Sequence, residues 1–224
     1  MTAADTGSGA GSADRGGHPR AGGGRIAVFA KAPVAGAVKT RLVPELGADG
    51  AAWLHARLVR HALATAREAR PAVLQLWCSP DASHPFFAEC AARFSCELHT
   101  QQGADLGERM AHAFSGNSPL VLIGADCPPL RAAHLAQAWH ALQSNDAVFA
   151  PAEDGGYVLV GLARAAPTLF EGIEWSRDDV MRETRRRVAA AGLRCVELET
   201  LWDVDRPEDY RRLEESGIAA QVRA

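Results

Sequence analysis

Residues 120–130 read L-V-L-I-G-A-D-C-P-P-L, and this stretch decides the fold. Residues 120–123 form a short apolar run that is typical of a buried strand, and the glycine and prolines behind it indicate a turn. Asp126 follows the strand directly. Ligands of open α/β sheets gather beyond the carboxyl ends of the strands, so the Asp126 carboxylate is predicted to lie at a ligand-binding edge.

Strand-like and helix-like segments alternate on both sides of this stretch. Apolar or β-rich runs occur at residues 25–30, 73–78, 96–99, 147–150, 157–162 and 194–198. Helical spacing or helix-start signals occur at residues 49–69, 86–93, 106–114, 132–142, from Ser176 and Asp179 to about 191, and at 203–215 with Pro207 in the first turn. The alternation predicts an α/β fold with a mainly parallel sheet flanked by helices.

Composition indicates one folded domain. Hydrophobic residues make up 47% and charged residues 23% of the 224-residue chain, an ordinary globular balance. We predict a domain at residues 25–217, a flexible, disordered Gly- and Ser-rich tail at 1–24 and a short tail at 218–224. No apolar run is long enough for a membrane span and no secretory signal is evident, which predicts a cytoplasmic protein.

Several classes of function are disfavoured. The 24 basic residues are interspersed with 27 acidic ones at a net charge of -3, which disfavours binding to a nucleic-acid polymer. The five cysteines form no C-x-x-C pair and suit a reducing compartment, and Cys127 lacks the neighbours of a nucleophile. Neither G-x-S-x-G nor H-E-x-x-H occurs, so acyl-transfer and zinc chemistry are disfavoured and the histidines are interpreted as surface or packed residues.

The loop after the first strand reads K-A-P-V-A-G-A-V-K-T-R-L-V-P over residues 31–44. It brings Lys31, Lys39 and Arg41 to the end of one strand. Gly36 lies between the two lysines, and Thr40 lies between Lys39 and Arg41. Lysine supplies a mobile charge and arginine grips phosphate oxygens, so the loop is predicted to bind a polyphosphate, with a solvated surface as the alternative. Val38 stands where a Walker loop needs glycine, so the loop is not a P-loop.

Asp126 needs a second acid to hold a metal ion. Mg²⁺ and Mn²⁺ commonly use one or two carboxylates together with substrate phosphates. In W-D-V-D-R-P-E-D (residues 202–209), Asp203 and Asp205 alternate on an extended stretch, so they are expected to point the same way. Either is a candidate second ligand, although aspartates in turns or ahead of Pro207 also serve as helix caps.

Two further loops carry candidate ligand contacts. In E-D-G-G-Y, Glu153 and Asp154 precede Gly155, Gly156 and Tyr157. The glycines permit close backbone approach, and the acids are predicted to contact acceptor hydroxyls or, for Asp154, to act as a base, with a plain hairpin as the alternative.

The second of these loops, G-A-D-L-G-E-R-M at residues 103–110, leads into a helix. Gly107 and Arg109 are candidate nucleotide-binding residues at the helix start, since helix amino termini present free N–H groups. Asp105 alternatively only caps the helix.

Taken in order, four motifs resemble a DUF2064-type glycosyltransferase family within the nucleotide-diphospho-sugar transferase superfamily. They are F-A-K-A-P-V-A-G-A-V-K-T-R-L, G-A-D-C-P-P-L, D-G-G-Y-V-L-V-G-L and W-D-V-D-R-P-E-D. The resemblance covers roughly residues 25–213. It implies a GT-A fold, a three-layer α/β/α sandwich with a metal-diphosphate site, and the first motif is also similar to that of phospholactate guanylyltransferases.

By position, the resemblance makes Asp126 and Asp205 metal ligands, and Lys39 and Arg41 the phosphate-facing pair. The sequence departs from relatives at Ala35 and Ala37, where proline and a basic residue are frequent. Arg206 also replaces a threonine that would cap the following helix. These differences predict a looser phosphate loop and a helix without a hydroxyl cap.

The predicted function is transfer from a nucleotide-phosphate donor with Mg²⁺ or Mn²⁺ as cofactor. The first hypothesis is glycosyl transfer from a nucleotide sugar to a small-molecule acceptor, with Lys39, Arg41, Asp126 and Asp154 as catalytic residues. The second is nucleotidyl transfer from a nucleoside triphosphate, which releases pyrophosphate. The third is a nucleotide-binding regulatory module without turnover. The residues leave the base, sugar, acceptor and oligomeric state open.

Overall fold

A computed structural model shows the fold of the protein and describes residues 23–175 and 177–223. The strands are β1 (Gly23–Lys31), β2 (Pro71–Ser79), β3 (Glu97–Thr100), β4 (Leu120–Gly124), β5 (Ala147–Pro151), β6 (Tyr157–Leu162) and β7 (Cys195–Glu197). The helices are α1 (Val43–Glu68), α2 (Pro85–Phe94), α3 (Leu106–Phe114), α4 (Ala132–Leu142), α5 (Val180–Ala190), α6 (Pro207–Glu215) and α7 (Ala219–Arg223). The predicted alternation of strands and helices is confirmed.

The strands form one sheet in the order β3-β2-β1-β4-β6-β5-β7. β1 pairs in parallel with β2 and β4, β2 with β3, and β5 with β7, whereas β6 runs antiparallel to both β4 and β5. The reversal arises because the short segment 152–156 joins β5 to β6, and a parallel connection needs about a dozen residues or more. The mainly parallel sheet is therefore confirmed.

Helices cover both faces of the sheet. Alternate residues of β1 enter two different clusters, with Ile26 and Val28 on one face and Ala27 and Phe29 on the other. The first face packs against α1, α2 and α4, and the second packs against α3 and α5. The result is the predicted three-layer α/β/α sandwich, and none of the helices in the described ranges is long and apolar enough to cross a bilayer.

The two ends of the predicted domain differ from expectation. Gly24 lies in β1, where a β-carbon would be 1.9 Å from a ring atom of Trp139, while residues 1–22 of the predicted tail lie outside the described residues. At the other end, residues 219–223, predicted as part of a tail, form α7. Val222 of this helix is buried in a cluster with Leu54 and Leu58 of α1, so the helix is part of the folded body.

Two helix starts were predicted from Pro207 and from Ser176 with Asp179. α6 begins at Pro207 as predicted, and the missing hydroxyl cap is replaced by Asp209, which accepts hydrogen bonds from the backbone N–H groups of Asp205 (3.1 Å) and Arg206 (2.7 Å). α5 begins directly after Asp179, whereas Ser176 lies outside the described residues.

Candidate active site

A half-buried ion pair joins three loops at the carboxyl edge of the sheet. Lys39, from the loop after β1, places its ammonium 2.9 Å from Asp126 Oδ2, in the loop after β4. The same ammonium donates a hydrogen bond to the carbonyl oxygen of Val204, between the two C-terminal aspartates. The Lys39 side chain is 4% exposed and that of Asp126 is 39% exposed, so the carboxylate reaches solvent while the cation is enclosed.

The backbone is shaped to deliver this lysine. Lys39 has φ 48° and ψ 41°, a left-handed conformation that costs a non-glycine residue about 1–2 kcal/mol. The turn Thr40–Leu42 follows directly and carries Arg41 out to the surface. Gly36 (φ 78°) supplies another left-handed position earlier in the loop. The ion pair and the hydrogen bond to Val204 hold Lys39 in this conformation.

Asp126 is held in its ionised form. Burial by itself raises the pKa of this carboxyl, but the positive charge of Lys39 outweighs burial and brings the pKa below its ordinary value. The backbone carbonyl of Asp126 also accepts a hydrogen bond from the Val204 N–H at 2.8 Å. This bond attaches the W-D-V-D segment to the loop after β4.

The two C-terminal aspartates have different surroundings. Asp205 forms an ion pair with Arg41. Asp203 has no cation bound directly among the described residues, and its pKa is raised to about 7, first by burial and then by the charges of Asp154 and Asp126. Asp203 is therefore an acid that takes up a proton near neutral pH unless a cation joins it.

Three adjoining cavities open at this edge. The cationic cavity, about 750 Å³, is lined by Lys31, Lys39, Thr40, Arg41 and Arg109 among others. The aromatic cavity, about 410 Å³, is lined by Phe29, Met110, Tyr157 and Trp175. The acidic cavity, about 500 Å³, is lined by Asp154, Asp178 and Asp209 together with Arg41 and Arg177.

The predicted metal-binding aspartates lie between these cavities. Asp126 lines the cationic and aromatic cavities, Asp203 the aromatic and acidic ones, and Asp205 the acidic and cationic ones. Each pair of aspartates thus shares one cavity. The structure brings Asp126 and both C-terminal candidates to one place, although it does not choose between Asp203 and Asp205.

The carboxylates fit a hard divalent cation that also binds substrate. Within residues 23–175 and 177–223 there is no group of three or more His, Cys, Asp or Glu residues arranged to hold a metal ion. One or two carboxylates suffice for Mg²⁺ when phosphate oxygens and water complete the shell. Among the residues that the structure describes, Asp126 Oδ1 is buried and has no hydrogen-bond partner, so this oxygen is free to bind a cation.

The E-D-G-G-Y segment forms the β5–β6 hairpin and also reaches the site. Asp154, Gly156 and Tyr157 line the aromatic cavity. Gly155 has φ 91°, and a β-carbon there would be 2.0 Å from the carbonyl oxygen of Asp178, so only glycine fits. Glu153 instead forms a bidentate ion pair with Arg212 of α6, at 2.6 and 3.1 Å, which gives it a structural partner.

The start of α3 is capped by its own sequence. Asp105 accepts a hydrogen bond from the Glu108 N–H at 2.8 Å, which confirms the capping alternative. Gly107 is buried, and a β-carbon there would be 2.5 Å from the carbonyl oxygen of Phe170, so this glycine serves close packing rather than open phosphate contact. Arg109 lines the cationic cavity and donates to the Gly103 carbonyl at 3.1 Å.

The chain is similar to known proteins in sequence and in fold. Residues 62–177 match a family described as an uncharacterized protein conserved in bacteria, DUF2064. A crystal structure from Desulfovibrio desulfuricans G20, provisionally described as a nucleotide-diphospho-sugar transferase, is 33% identical, with a TM-score of 0.77 over 89% of this chain and 94% of that chain. The chain belongs to the DUF2064 family. No match was found among the curated proteins.

More distant structures share the fold of this DUF2064 protein. A nucleotidyl transferase from Methanothermobacter thermautotroptrophicus is 13% identical, with a TM-score of 0.61 over 89% of this chain and all of that chain. Rv0371c from Mycobacterium tuberculosis H37Rv, solved as a complex with manganese, is 18% identical, with a TM-score of 0.54 over 86% of this chain and 99% of that one. At these identities the likeness shows the fold alone.

Three residues of the DUF2064 site were not predicted from the sequence. His55 is packed, as expected of the helical histidines, but its Nδ1 lies 3.8 Å from Asp126 Oδ1. Trp175 lines the aromatic and cationic cavities, and Arg177 lines the aromatic and acidic ones. His55 lies on α1, outside the site motifs, and Trp175 and Arg177 lie in the irregular segment before α5, which has no periodic signal. Only the fold brings these three residues to the site.

Proposed function

We propose that this DUF2064 protein is a metal-dependent glycosyltransferase that moves a sugar from a nucleotide-diphospho-sugar to a small-molecule acceptor. The observation that carries the proposal is the half-buried Lys39–Asp126 ion pair at the boundary between the cationic and aromatic cavities. One cavity has the charge for a diphosphate, and the other has the aromatic walls and acids that suit a sugar or a hydroxylated acceptor. The relative from Desulfovibrio supports this class of donor.

The cationic cavity supplies the charges for the leaving group. Within the described part of the chain, the exposed Lys31 ammonium has neither a hydrogen bond nor an ion pair, so it is available to a phosphate. Arg41, now paired with Asp205, also lines this cavity. Preorganised cations of this kind stabilise the negative charge that develops on a nucleoside diphosphate as its bond to the sugar breaks.

Mg²⁺ or Mn²⁺ would be held by Asp126 together with Asp205 or Asp203, with donor phosphates completing the shell. When bound, such an ion neutralises negative charge on the diphosphate. The chain's own part is to keep Asp126 ionised through Lys39 and to hold the C-terminal aspartates nearby through the Val204 N–H.

The aromatic cavity would take the sugar and the acceptor hydroxyl. Trp175 and Tyr157 meet edge to face, with ring centroids 6.4 Å apart, and form a wall on which the apolar face of a sugar ring packs. The acceptor oxygen forms a bond to the anomeric carbon of the sugar. The bond between that carbon and the diphosphate oxygen breaks, and its electron pair stays on the oxygen of the leaving nucleoside diphosphate. The proton of the acceptor hydroxyl passes to a carboxylate. Asp154 lines this cavity and is our candidate base.

The second candidate is nucleotidyl transfer. The lysines and arginines around this cavity of about 750 Å³ also suit the triphosphate of a nucleotide, and the leaving group would then be pyrophosphate. A binding module without turnover is the third alternative. Lys39, Arg41 and Asp126, the charged residues that the transfer reaction needs, are all present at the site, which favours catalysis over a binding module.

A donor panel separates these functions. The protein would be incubated with nucleotide sugars and nucleoside triphosphates plus hydroxylated acceptors, with Mn²⁺ or with EDTA, and released nucleoside diphosphate and pyrophosphate would be measured. Nucleoside diphosphate formed only with metal supports glycosyl transfer, whereas pyrophosphate supports the second candidate. Asp126→Asn should abolish metal-supported turnover while it preserves the fold. Full turnover of that variant at limiting metal would contradict the proposed site.

A further inference from the structure

The hydrogen bonding of His55 defines its tautomer. His55 lies on α1 and is 5% exposed. Its Nε2 lies 3.0 Å from the carbonyl oxygen of Lys31, at the end of β1. A carbonyl oxygen only accepts, so Nε2 must carry the proton that is donated. In the neutral ring the other nitrogen, Nδ1, then presents a lone pair.

That lone pair faces an ionised oxygen across a short gap. Nδ1 of His55 and Oδ1 of Asp126 are 3.8 Å apart, which is too long for a hydrogen bond. Both atoms are buried, and neither has a hydrogen-bond partner within residues 23–175 and 177–223. Buried polar groups are normally paired, because an unpaired one costs roughly 1–3 kcal/mol. Two such atoms facing each other form a site for a partner that attracts both.

A divalent cation satisfies both atoms. Two ligand atoms at about 2.1 Å from one ion lie at most about 4.2 Å apart, so a separation of 3.8 Å is within the reach of a single ion. The second oxygen of Asp126 is occupied by the Lys39 ammonium at 2.9 Å, which leaves Oδ1 for the ion. His55 and Asp126 both line the cationic cavity, so the gap adjoins the predicted phosphate site.

We propose that Nδ1 of His55 is a metal ligand beside Oδ1 of Asp126. The inference rests on the metal dependence in the proposed function and adds a nitrogen to a site otherwise built from carboxylates. Imidazole suits first-row transition ions better than Mg²⁺, which prefers oxygen. His55 therefore makes the site selective for Mn²⁺ over Mg²⁺.

Two substitutions at this position separate a ligand from a packing residue. His55→Gln places an amide near the position of Nε2, so it keeps a donor for the Lys31 carbonyl and removes Nδ1. His55→Asn places an amide oxygen near the position of Nδ1 and removes the contact with Lys31. If His55 only packs, His55→Asn should reduce Mn²⁺ affinity more than His55→Gln does. If Nδ1 of His55 is a ligand, His55→Gln should reduce Mn²⁺ affinity more.

The test is Mn²⁺ binding to the full-length protein without donor, followed by electron paramagnetic resonance. We expect Asp126→Asn to abolish binding, His55→Gln to weaken it at least about tenfold, and His55→Asn to weaken it less. The competing Mg²⁺ affinity should fall less than the Mn²⁺ affinity in His55→Gln. Pulsed spectra should show coupling of Mn²⁺ to a ¹⁴N nucleus in the wild type and none in His55→Gln.

Wild-type Mn²⁺ affinity in His55→Gln, absence of the ¹⁴N coupling, or no Mn²⁺ binding by the wild type would each overturn the inference. The first two outcomes leave the proposed function standing, whereas absence of Mn²⁺ binding by the wild type would also contradict its metal dependence. Metal-dependent turnover with an unaffected His55→Gln variant refutes only the role of His55. A ¹⁴N-coupled Mn²⁺ site in a protein that forms no product from any donor refutes only the transfer reaction.

Discussion

Asp203→Asn is expected to stabilise the protein at alkaline pH. Asp203 is partly buried next to Asp154 and Asp126, and its pKa is raised from 3.8 to about 7. A raised pKa in the folded state means that this group favours folding fully below pH 4, and that the contribution is lost as pH rises through 7. Asparagine keeps the shape of the neutral acid and does not ionise, so the variant should not lose folding stability at this position as pH rises.

The size of the effect follows from the shift. Each pKa unit corresponds to about 1.4 kcal/mol, so a rise of roughly three units corresponds to at most about 4 kcal/mol. Water reaches part of the Asp203 side chain and screens its charge, which reduces the expected gain at pH 8 to about 2 kcal/mol. At pH 4 the wild-type side chain is largely protonated, and the expected gain is near zero.

Urea unfolding at pH 4.5, 6 and 8 measures the difference in free energy of unfolding between Asp203→Asn and the wild type. EDTA is present because a divalent ion would bind the same carboxylates. Asp81→Asn is the control of opposite sign, since hydrogen bonds from Ser83 lower the pKa of Asp81 and its contribution is lost as pH falls. A stability gain for Asp203→Asn that is equal at all three pH values, or no gain at pH 8, would refute the reasoning.

Three further predictions concern the loops around the site. Gly155→Ala should lower the free energy of unfolding by at least about 2 kcal/mol in urea titrations, because it adds a strained φ and a clash with Asp178; full stability would show that the hairpin can move. Glu153→Gln should leave turnover unchanged and cost less than about 1 kcal/mol, because its ion pair with Arg212 is exposed; a marked loss of turnover would give Glu153 a direct role. Trp175→Phe should raise the KM for the donor about fivefold with little change in kcat, because the smaller ring removes part of the apolar wall of the aromatic and cationic cavities. An unchanged KM would remove Trp175 from the binding site.

Much of the site was predictable because it follows from the sheet. Asp126 and Lys39 were predicted at one edge because each follows a strand, and parallel neighbouring strands end at the same edge. The structure confirms this juxtaposition at 2.9 Å. The left-handed conformation of Lys39 had no sequence signal, because glycine or asparagine normally marks such a position.

Local patterns left other roles open. Asp203 and Asp205 alternate identically along the chain, yet one pairs with Arg41 and the other lies among acids. Glu153 and Asp154 are adjacent, but one contacts α6 and the other lines the aromatic cavity. The alternation of side chains along an extended backbone sets only the direction in which each side chain starts. The residue that it contacts belongs to another helix, strand or loop, which the local sequence does not specify.

The sequence alone determined the alternation of strands and helices, the edge at which ligands gather, and the acids and cations available there. These properties depend on hydrophobic period and on residues that directly follow a strand. Only the tertiary structure decided that His55 faces Asp126, that Trp175 lines the aromatic cavity, and that α7 packs on α1. Such contacts join residues far apart in the chain, and they depend on how helices and loops pack over the sheet.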